Sequence, residues 1–142
     1  MATTTKPFPQ LPEPGDFVWC RFPRLPGFPD TPGPKLRPAL VIAVSDADHE
    51  VMVVYGTSQK TDKIYPTEFL LKKTDAGFAV SGLAHDTKFD MAVRIELPYD
   101  SDWFDLAPIK NGVATMSPVM GTLHTTYMAA VKQANAKVSQ AA

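Results

Sequence analysis

Residues 35–59, KLRPALVIAVSDADHEVMVVYGTSQ, decide the fold of this chain. The run from Pro38 to Ser45 is almost continuously apolar, which is typical of a buried strand, and the run from Glu50 to Tyr55 is rich in β-branched residues. Between them, residues 46–49 are mostly polar and suited to a turn. The stretch therefore predicts a β-hairpin, two antiparallel strands joined by a short turn.

Shorter patterns on both sides of the hairpin predict further strands. Upstream, residues 17–22 are rich in aromatic and β-branched residues and follow a turn signal at residues 14–16. Downstream, residues 67–71 predict a shorter strand, and residues 89–97 largely alternate between apolar and polar side chains. Because short strands joined by turns recur along the chain, we expect a mainly β fold, a small barrel or a sandwich.

The C-terminal region has a different period. Ser117 can cap a helix, and Pro118 suits the first helical position. Apolar residues then recur at steps of three and four, which predicts an amphipathic helix over residues 118–138. These residues are Met120, Leu123, Tyr127, Val131, Ala134 and Val138. We expect the helix to pack on the barrel; docking to a partner protein is the alternative.

The prolines divide the chain unevenly, since ten of the fourteen lie at or before Pro38. Residues 1–14 alternate proline with polar residues and predict an extended arm, ordered only where something packs on it. Residues 23–35 hold five prolines and two glycines and predict a long loop. The predicted organisation is an arm, residues 1–14, and one domain, residues 15–142.

Composition excludes several classes of protein. At 44% apolar and 20% charged residues, the 142-residue chain has the balance of a globular domain. It has neither an apolar run near the roughly 20 residues of a membrane helix nor the pattern of a secretory signal. Cys20 is the only cysteine, so no disulfide or cysteine metal cluster is expected. We expect a cytoplasmic protein without a metal or cofactor.

Charge is distributed in two local basic segments although the net charge is −1. Residues 21–37 hold four cations against one acid, and residues 60–73 hold four lysines against two acids. This pattern favours a confined anionic ligand over a long duplex. Solvated loop charges are the alternative.

Three motifs in order resemble the PemK/MazF toxin family. They are Gly15-Asp16-Phe17-Val18-Trp19, Lys35-Leu36-Arg37-Pro38-Ala39-Leu40-Val41-Ile42 and Val53-Val54-Tyr55-Gly56-Thr57-Ser58-Gln59. The resemblance covers residues 14–60, and the later segments look like a divergent PemK-like subgroup. It implies an SH3-like small β-barrel with a C-terminal helix, a homodimer, a groove for single-stranded RNA and a cognate antitoxin. The implied activity is metal-independent, sequence-selective cleavage of RNA by an mRNA interferase, the toxin of a type II toxin–antitoxin system, leaving a 2′,3′-cyclic phosphate and a 5′-hydroxyl.

The resemblance also implies a catalytic pair, Arg37 and Thr57. A guanidinium can pair two phosphate oxygens at once, and a hydroxyl can donate to the same phosphate. Both residues flank the open end of the predicted hairpin, which would bring them together. The alternatives are an arginine that merely begins a strand and a threonine that closes one.

Other residues have supporting roles in this hypothesis. Candidate RNA-binding residues are Arg24, Lys35, Ser58, Gln59 and Lys60. Trp19 and Phe22 are candidates for stacking on a base, although an aromatic residue in a first strand is more often in the core. No histidine is adjacent to Arg37 or Thr57 in sequence, and His85 with Asp86 is the pair to test for proton transfer.

Two other functions stay open at this stage. One is a non-catalytic SH3-like barrel that binds nucleic acid or protein, because a fold alone does not fix function. The other is an interaction module whose proline-rich arm or loop is recognised as a polyproline ligand. The arm does not repeat a PxxP pattern on both sides of a basic residue, which favours the first alternative over the second.

Overall fold

The computed structural model describes residues 5–25, 27–109 and 112–141. In this part of the chain six strands precede one α-helix, and two short 3-10 turns lie at Ala79–Ser81 and Thr125–Tyr127. The strands are β1 Asp16–Cys20, β2 Arg37–Ser45, β3 Glu50–Thr57, β4 Glu68–Leu71, β5 Thr87–Pro98 and β6 Val119–Thr122, and the helix is α1 Met128–Ala141. None of the helices among these residues is both long and apolar enough to cross a membrane.

All six strands form one antiparallel sheet, in the order β4-β5-β3-β2-β1-β6, which curls into a half-barrel. The central pair is the predicted hairpin, since β2 and β3 pair from Ala39 opposite Tyr55 to Ser45 opposite Glu50. A register shift between Val41 and Ala43 bends this pair. The expectation of a mainly β fold with a C-terminal helix is confirmed.

Both faces of the central strands are buried, which explains the continuous apolar runs. Consecutive residues alternate between two cores: Val54 belongs to the first core and Val53 to the second. The first core is closed by α1, whose Ala134 is 2% exposed. The second core is closed by residues near the N-terminus and by the segment after β5, including Phe104. A strand buried on both faces has apolar side chains on both, whereas a half-exposed strand alternates between apolar and polar residues.

The helix predicted over residues 118–138 begins ten residues too early. Residues 119–122 form β6, which pairs with the outer edge of β1, and α1 begins only at Met128. The 3-10 turn before α1, Thr125–Tyr127, is capped by His124, whose Nδ1 accepts a 3.1 Å hydrogen bond from the Thr126 amide. The predicted helix start was wrong because residues 119–122 pair with the otherwise free edge of β1. This long-range pairing overrides the local helix signals.

Residues of the predicted arm lie against the second core. The Phe8 amide donates to the Tyr99 carbonyl at 3.1 Å, and the Phe8 ring packs against the Tyr99 ring at 5.6 Å between centroids. Nε2 of His49 donates to the Phe8 carbonyl at 2.6 Å. The described part of the arm therefore covers apolar surface, and the division at residue 14 stays a prediction.

Candidate functional site

Arg37 and Thr57 stand at the open end of the β2–β3 hairpin. Arg37 is the first residue of β2, and Thr57 is the last residue of β3. The pairing of β2 with β3 ends at Ala39 opposite Tyr55, so Arg37 and Thr57 each lie two residues beyond the last pair at the same end of the hairpin. Both residues are half-buried and line one cavity.

This first cavity has a volume of about 770 Å³ and lies beside the hairpin end. Its wall comes from the ends of β2 and β3, the segment 79–87, residues 107–109 and Thr115. The lining residues are Trp19, Leu36, Arg37, Pro38, Gly56, Thr57, Ser58, Ala79, Gly82, Leu83, Ala84, His85, Thr87, Ala107, Pro108, Ile109, Thr115 and Met120. Most of them are apolar, so the cavity offers room for a flat, weakly polar group such as a nucleobase.

Ionisable side chains are few in the first cavity. Within the described part of the chain, Arg37 and His85 are the lining residues with a basic side chain, and no carboxylate lines the wall. With a fixed cation and no acid to neutralise it, the cavity favours an anionic ligand. The described residues hold no group of three histidine, cysteine or acidic side chains suited to a metal ion.

A second cavity, of about 460 Å³, begins on the other side of Arg37. Its lining residues are Phe22, Pro23, Arg24, Leu25, Pro34, Lys35, Arg37, Tyr55 and Val93. Three of the described lining residues are cations and none is an acid. Arg37 therefore borders both cavities, one largely apolar and one strongly basic.

The hydroxyl of Thr57 is oriented by its own strand end. Its oxygen accepts a 3.1 Å hydrogen bond from the Gln59 amide, so the hydroxyl hydrogen is left to donate elsewhere. The preceding Gly56 lies directly over the Phe89 ring, and any larger side chain there would collide with that ring. This close approach fixes the end of β3 on the first core.

The residues predicted to bind RNA divide into three groups. Ser58 lines the first cavity, Arg24 and Lys35 line the second, and Gln59 and Lys60 are exposed outside both. The backbone of Lys60 is left-handed at φ 53°, and its carbonyl accepts the Lys63 amide at 3.2 Å. A role for Gln59 and Lys60 in RNA binding stays a prediction.

The two aromatic candidates occupy different positions. Trp19 is half-buried and lines the first cavity. Phe22 is only 7% exposed and packs edge-on against Tyr55, with 5.4 Å between ring centroids. Tyr55 lines the second cavity and was not singled out from the sequence. Strand alternation was the available signal, since Tyr55 lies two residues before Thr57 on the same strand face.

The three histidines have different environments. His85 lines the first cavity, His49 contacts the Phe8 carbonyl and His124 caps the C-terminal helical segment. Next to His85, the Asp86 carboxylate accepts a 2.7 Å hydrogen bond from the Lys73 amide. Cys20 is buried and its burial raises the pKa of its thiol, so it is unsuited to act as a nucleophile.

Comparison with known proteins finds similarity in structure. No family model and no curated protein matches the chain. An endoribonuclease from Mycobacterial species superposes with a TM-score of 0.54 at 14% sequence identity, covering 91% of this chain and 91% of that one. An endoribonuclease in complex with its cognate antitoxin, also from Mycobacterial species, gives a TM-score of 0.56 at 16% identity, covering 92% of this chain and 96% of that one.

The similarity extends over nearly the whole length of both chains. At these identities it shows a shared fold, a curled antiparallel sheet with a C-terminal helix. The fold implied by the family resemblance is therefore confirmed: this chain has the fold of these mycobacterial endoribonucleases.

Proposed function

We propose that this chain is an endoribonuclease, the toxin of a toxin–antitoxin pair, which cleaves single-stranded RNA at a phosphate held by Arg37 and Thr57. The observation that carries the proposal is the position of Arg37 on the border of two cavities, with Thr57 on the adjacent strand end. A polynucleotide fits an arginine placed between two cavities, because each of its phosphates has a nucleotide on either side. Its phosphate would lie at the border, and its neighbouring nucleotides would extend to both sides.

The two cavities suit different parts of an RNA strand. The first, lined by Trp19 and Leu83 among others, matches the apolar faces of a base. The second, with Arg24 and Lys35 beside Tyr55, matches backbone phosphates next to an unpaired base. Side chains lining the first cavity would select the base, so we propose that cleavage is sequence-selective.

The chemistry follows from the two polar groups at the border. The 2′-oxygen attacks the phosphorus, the bond from phosphorus to the 5′-oxygen breaks, and a 2′,3′-cyclic phosphate and a 5′-hydroxyl result. Arg37 would pair two of the phosphate oxygens, and the Thr57 hydroxyl, whose oxygen already accepts from Gln59, would donate to one of them. Donors fixed before the reaction stabilise the charge that develops in the transition state. We propose that this cleavage needs no metal ion.

The similar structures support the assignment. Both are endoribonucleases, and one is in complex with its cognate antitoxin. We propose that this chain likewise has a cognate antitoxin, and that the basic second cavity, free of carboxylates among its described residues, receives an acidic or extended segment of it. We also propose a homodimer in the cytoplasm, its dimeric state being open to sedimentation analysis.

The test is incubation of the purified protein with a long single-stranded RNA in EDTA. We expect discrete cuts with cyclic phosphate ends from the wild type, a loss of at least about 100-fold in rate from Arg37→Ala, and a partial loss from Arg37→Lys. Lys72→Ala is the matched control, because Lys72 is exposed and lines neither cavity. A folded wild-type protein that binds this RNA without cutting it would instead support a non-catalytic binding module.

A further inference from the structure

The first cavity holds a histidine that is far from Arg37 and Thr57 in sequence. His85 lines the same wall as both residues, and its side chain is exposed at the cavity surface. The other two histidines have different partners, the Phe8 carbonyl for His49 and the Thr126 amide for His124. The fold thus brings one imidazole to the proposed reaction site.

Strand pairing explains how His85 reaches that position. β5 pairs with β3 so that Lys88 lies opposite Thr57, and it pairs with β4 so that Thr87 lies opposite Leu71. The residues just before β5 must therefore emerge beside the end of β3, where Thr57 stands.

Two hydrogen bonds hold the backbone around His85 in place. The Thr87 hydroxyl donates to the His85 carbonyl at 2.7 Å, and the Lys73 amide donates to the Asp86 carboxylate at 2.7 Å. His85 consequently stands on a segment tied to β5 on one side and to the end of β4 on the other. Because this backbone is already held in place, no loop has to become ordered for the imidazole to face the cavity.

The proposed reaction needs two proton transfers, and the cavity offers few groups to make them. The 2′-hydroxyl must lose a proton, and the 5′-oxygen must gain one. Arginine stays protonated throughout, and a threonine hydroxyl is neither acidic nor basic enough. No aspartate, glutamate, lysine or tyrosine is among the described residues that line the first cavity, since Lys35 and Tyr55 line only the second. An imidazole exchanges protons near neutral pH.

We propose, resting on the function proposed above, that His85 is the proton-transfer residue of this site. It exchanges a proton with one reacting oxygen, taking it from the 2′-hydroxyl or giving it to the 5′-oxygen. Water carries the other proton, so the proton count balances. The electrons of the broken bond stay with the 5′-oxygen, and the new bond joins the 2′-oxygen to phosphorus.

The test compares wild type with His85→Ala under single-turnover conditions. We expect the cleavage rate to fall about 100- to 10,000-fold, the range of general acid–base catalysis. Affinity for an uncleavable oligonucleotide with 2′-deoxyribose at the cut site should stay within about twofold. The matched control is His124→Asn, which removes an imidazole elsewhere while keeping a side chain able to cap the helix; its rate should match wild type.

Two additions to His85→Ala separate proton transfer from a structural role. In a substrate with sulfur in place of the 5′-oxygen, the leaving group is a thiolate, which departs without gaining a proton. This substrate should therefore restore the cleavage rate of His85→Ala if His85 is the proton donor. Added imidazole should restore the rate in a concentration-dependent manner whether His85 donates or accepts. Restoration by either supports the proposal.

The proposal is overturned if His85→Ala cuts at the wild-type rate, if its loss of rate equals its loss of affinity, or if neither addition restores cleavage. These results all require a wild type that cleaves RNA. A wild type that does not cleave would instead refute the proposed function itself, so the two failures are distinguishable.

Discussion

The backbone amide of Gln59 donates a 3.1 Å hydrogen bond to the hydroxyl oxygen of Thr57. The chain turns here at the end of β3, and the hydrogen bond fixes the side chain at the point where the strand leaves the sheet. Because the oxygen is occupied as an acceptor, the hydroxyl hydrogen is directed away from the Gln59 amide. The geometry prepares Thr57 to donate to a bound anion rather than to accept from one.

Thr57→Val should therefore abolish this donation while preserving shape. We expect the rate of RNA cleavage to fall about 100-fold, which is typical of removing one preorganised donor to developing charge. Thr57→Ser keeps the hydroxyl and should stay within about tenfold of wild type. Single-turnover kinetics on one RNA measures both, with thermal unfolding showing that each variant is folded. Equal rates for the valine and serine variants would contradict a role for the hydroxyl.

A buried ion pair joins β4 to β5 just behind this site. Nζ of Lys88 lies 3.1 Å from Oε1 of Glu68, with the two side chains 7% and 10% exposed. Lys88 also donates to the Lys63 carbonyl at 2.9 Å. Its backbone pairs with Thr57, so the ion pair supports the strand end that carries the hydroxyl.

Removing only the acid should be strongly destabilising. Glu68→Leu leaves the Lys88 ammonium buried without a counter-charge, and we expect the free energy of unfolding to fall by about 3–5 kcal/mol. The double variant Glu68→Leu with Lys88→Met removes both charges and should recover much of that loss. Denaturant unfolding of both variants and wild type measures the difference. A loss below about 1 kcal/mol for Glu68→Leu would mean that water reaches the pair.

The fold could be predicted in those segments whose local pattern of apolar and polar residues shows which positions are buried. The β2–β3 hairpin was predictable because its strands are apolar on both faces and a polar turn separates them. The start of α1 was not, because residues 119–122 have a helical spacing of apolar residues but form a strand. Their conformation depends on the free edge of β1, about 100 residues earlier in the chain, which no local pattern reveals.

The candidate site likewise combines residues that local pairing brings together with a residue that only distant strand pairing brings there. Arg37 and Thr57 belong to one hairpin, so their meeting in one cavity follows from local pairing. His85 reaches that cavity only through the pairing of β3 with β5, a contact between distant segments. The catalytic roles of Arg37 and Thr57 themselves stay predictions, which the variants above test.

Tyr127 links α1 to the rest of the fold and makes the stability of the folded state depend on pH in the alkaline range. Its hydroxyl donates to Asp75 at 2.9 Å. Burial, together with this hydrogen bond and the carboxylate charge, raises the pKa of Tyr127 to about 12 from its ordinary 10. Below pH 10 the phenol keeps its proton in both states. Between those two values the unfolded chain loses the proton first, so stability falls as pH rises.

Tyr127→Phe isolates this contribution. At neutral pH we expect it to lower the free energy of unfolding by about 1 kcal/mol, because the hydrogen bond to Asp75 is lost. The difference from wild type should shrink as pH rises from about 9 to 12, because only the wild type has this proton to lose. Denaturant unfolding of both proteins across this range measures it. A constant difference would show that the pKa of Tyr127 is not raised.

The last prediction concerns the N-terminal arm. Phe8 is half-buried, its amide donates to the Tyr99 carbonyl at 3.1 Å, and its carbonyl accepts from His49 at 2.6 Å. Phe8→Ala should lower the free energy of unfolding by about 2 kcal/mol, since it uncovers part of the second core. Phe28→Ala is the matched control: that ring is 63% exposed and should change stability by less than about 0.5 kcal/mol.

Denaturant unfolding decides whether the arm belongs to the folding unit. A larger loss for Phe8→Ala than for Phe28→Ala means that residues 5–14 cover the core and unfold with it, which would move the boundary predicted at residue 14 towards the N-terminus. Equal, small losses would mean that the arm adds nothing to stability. The domain would then begin at residue 15, as the proline pattern predicts, and the contacts of Phe8 would be energetically neutral.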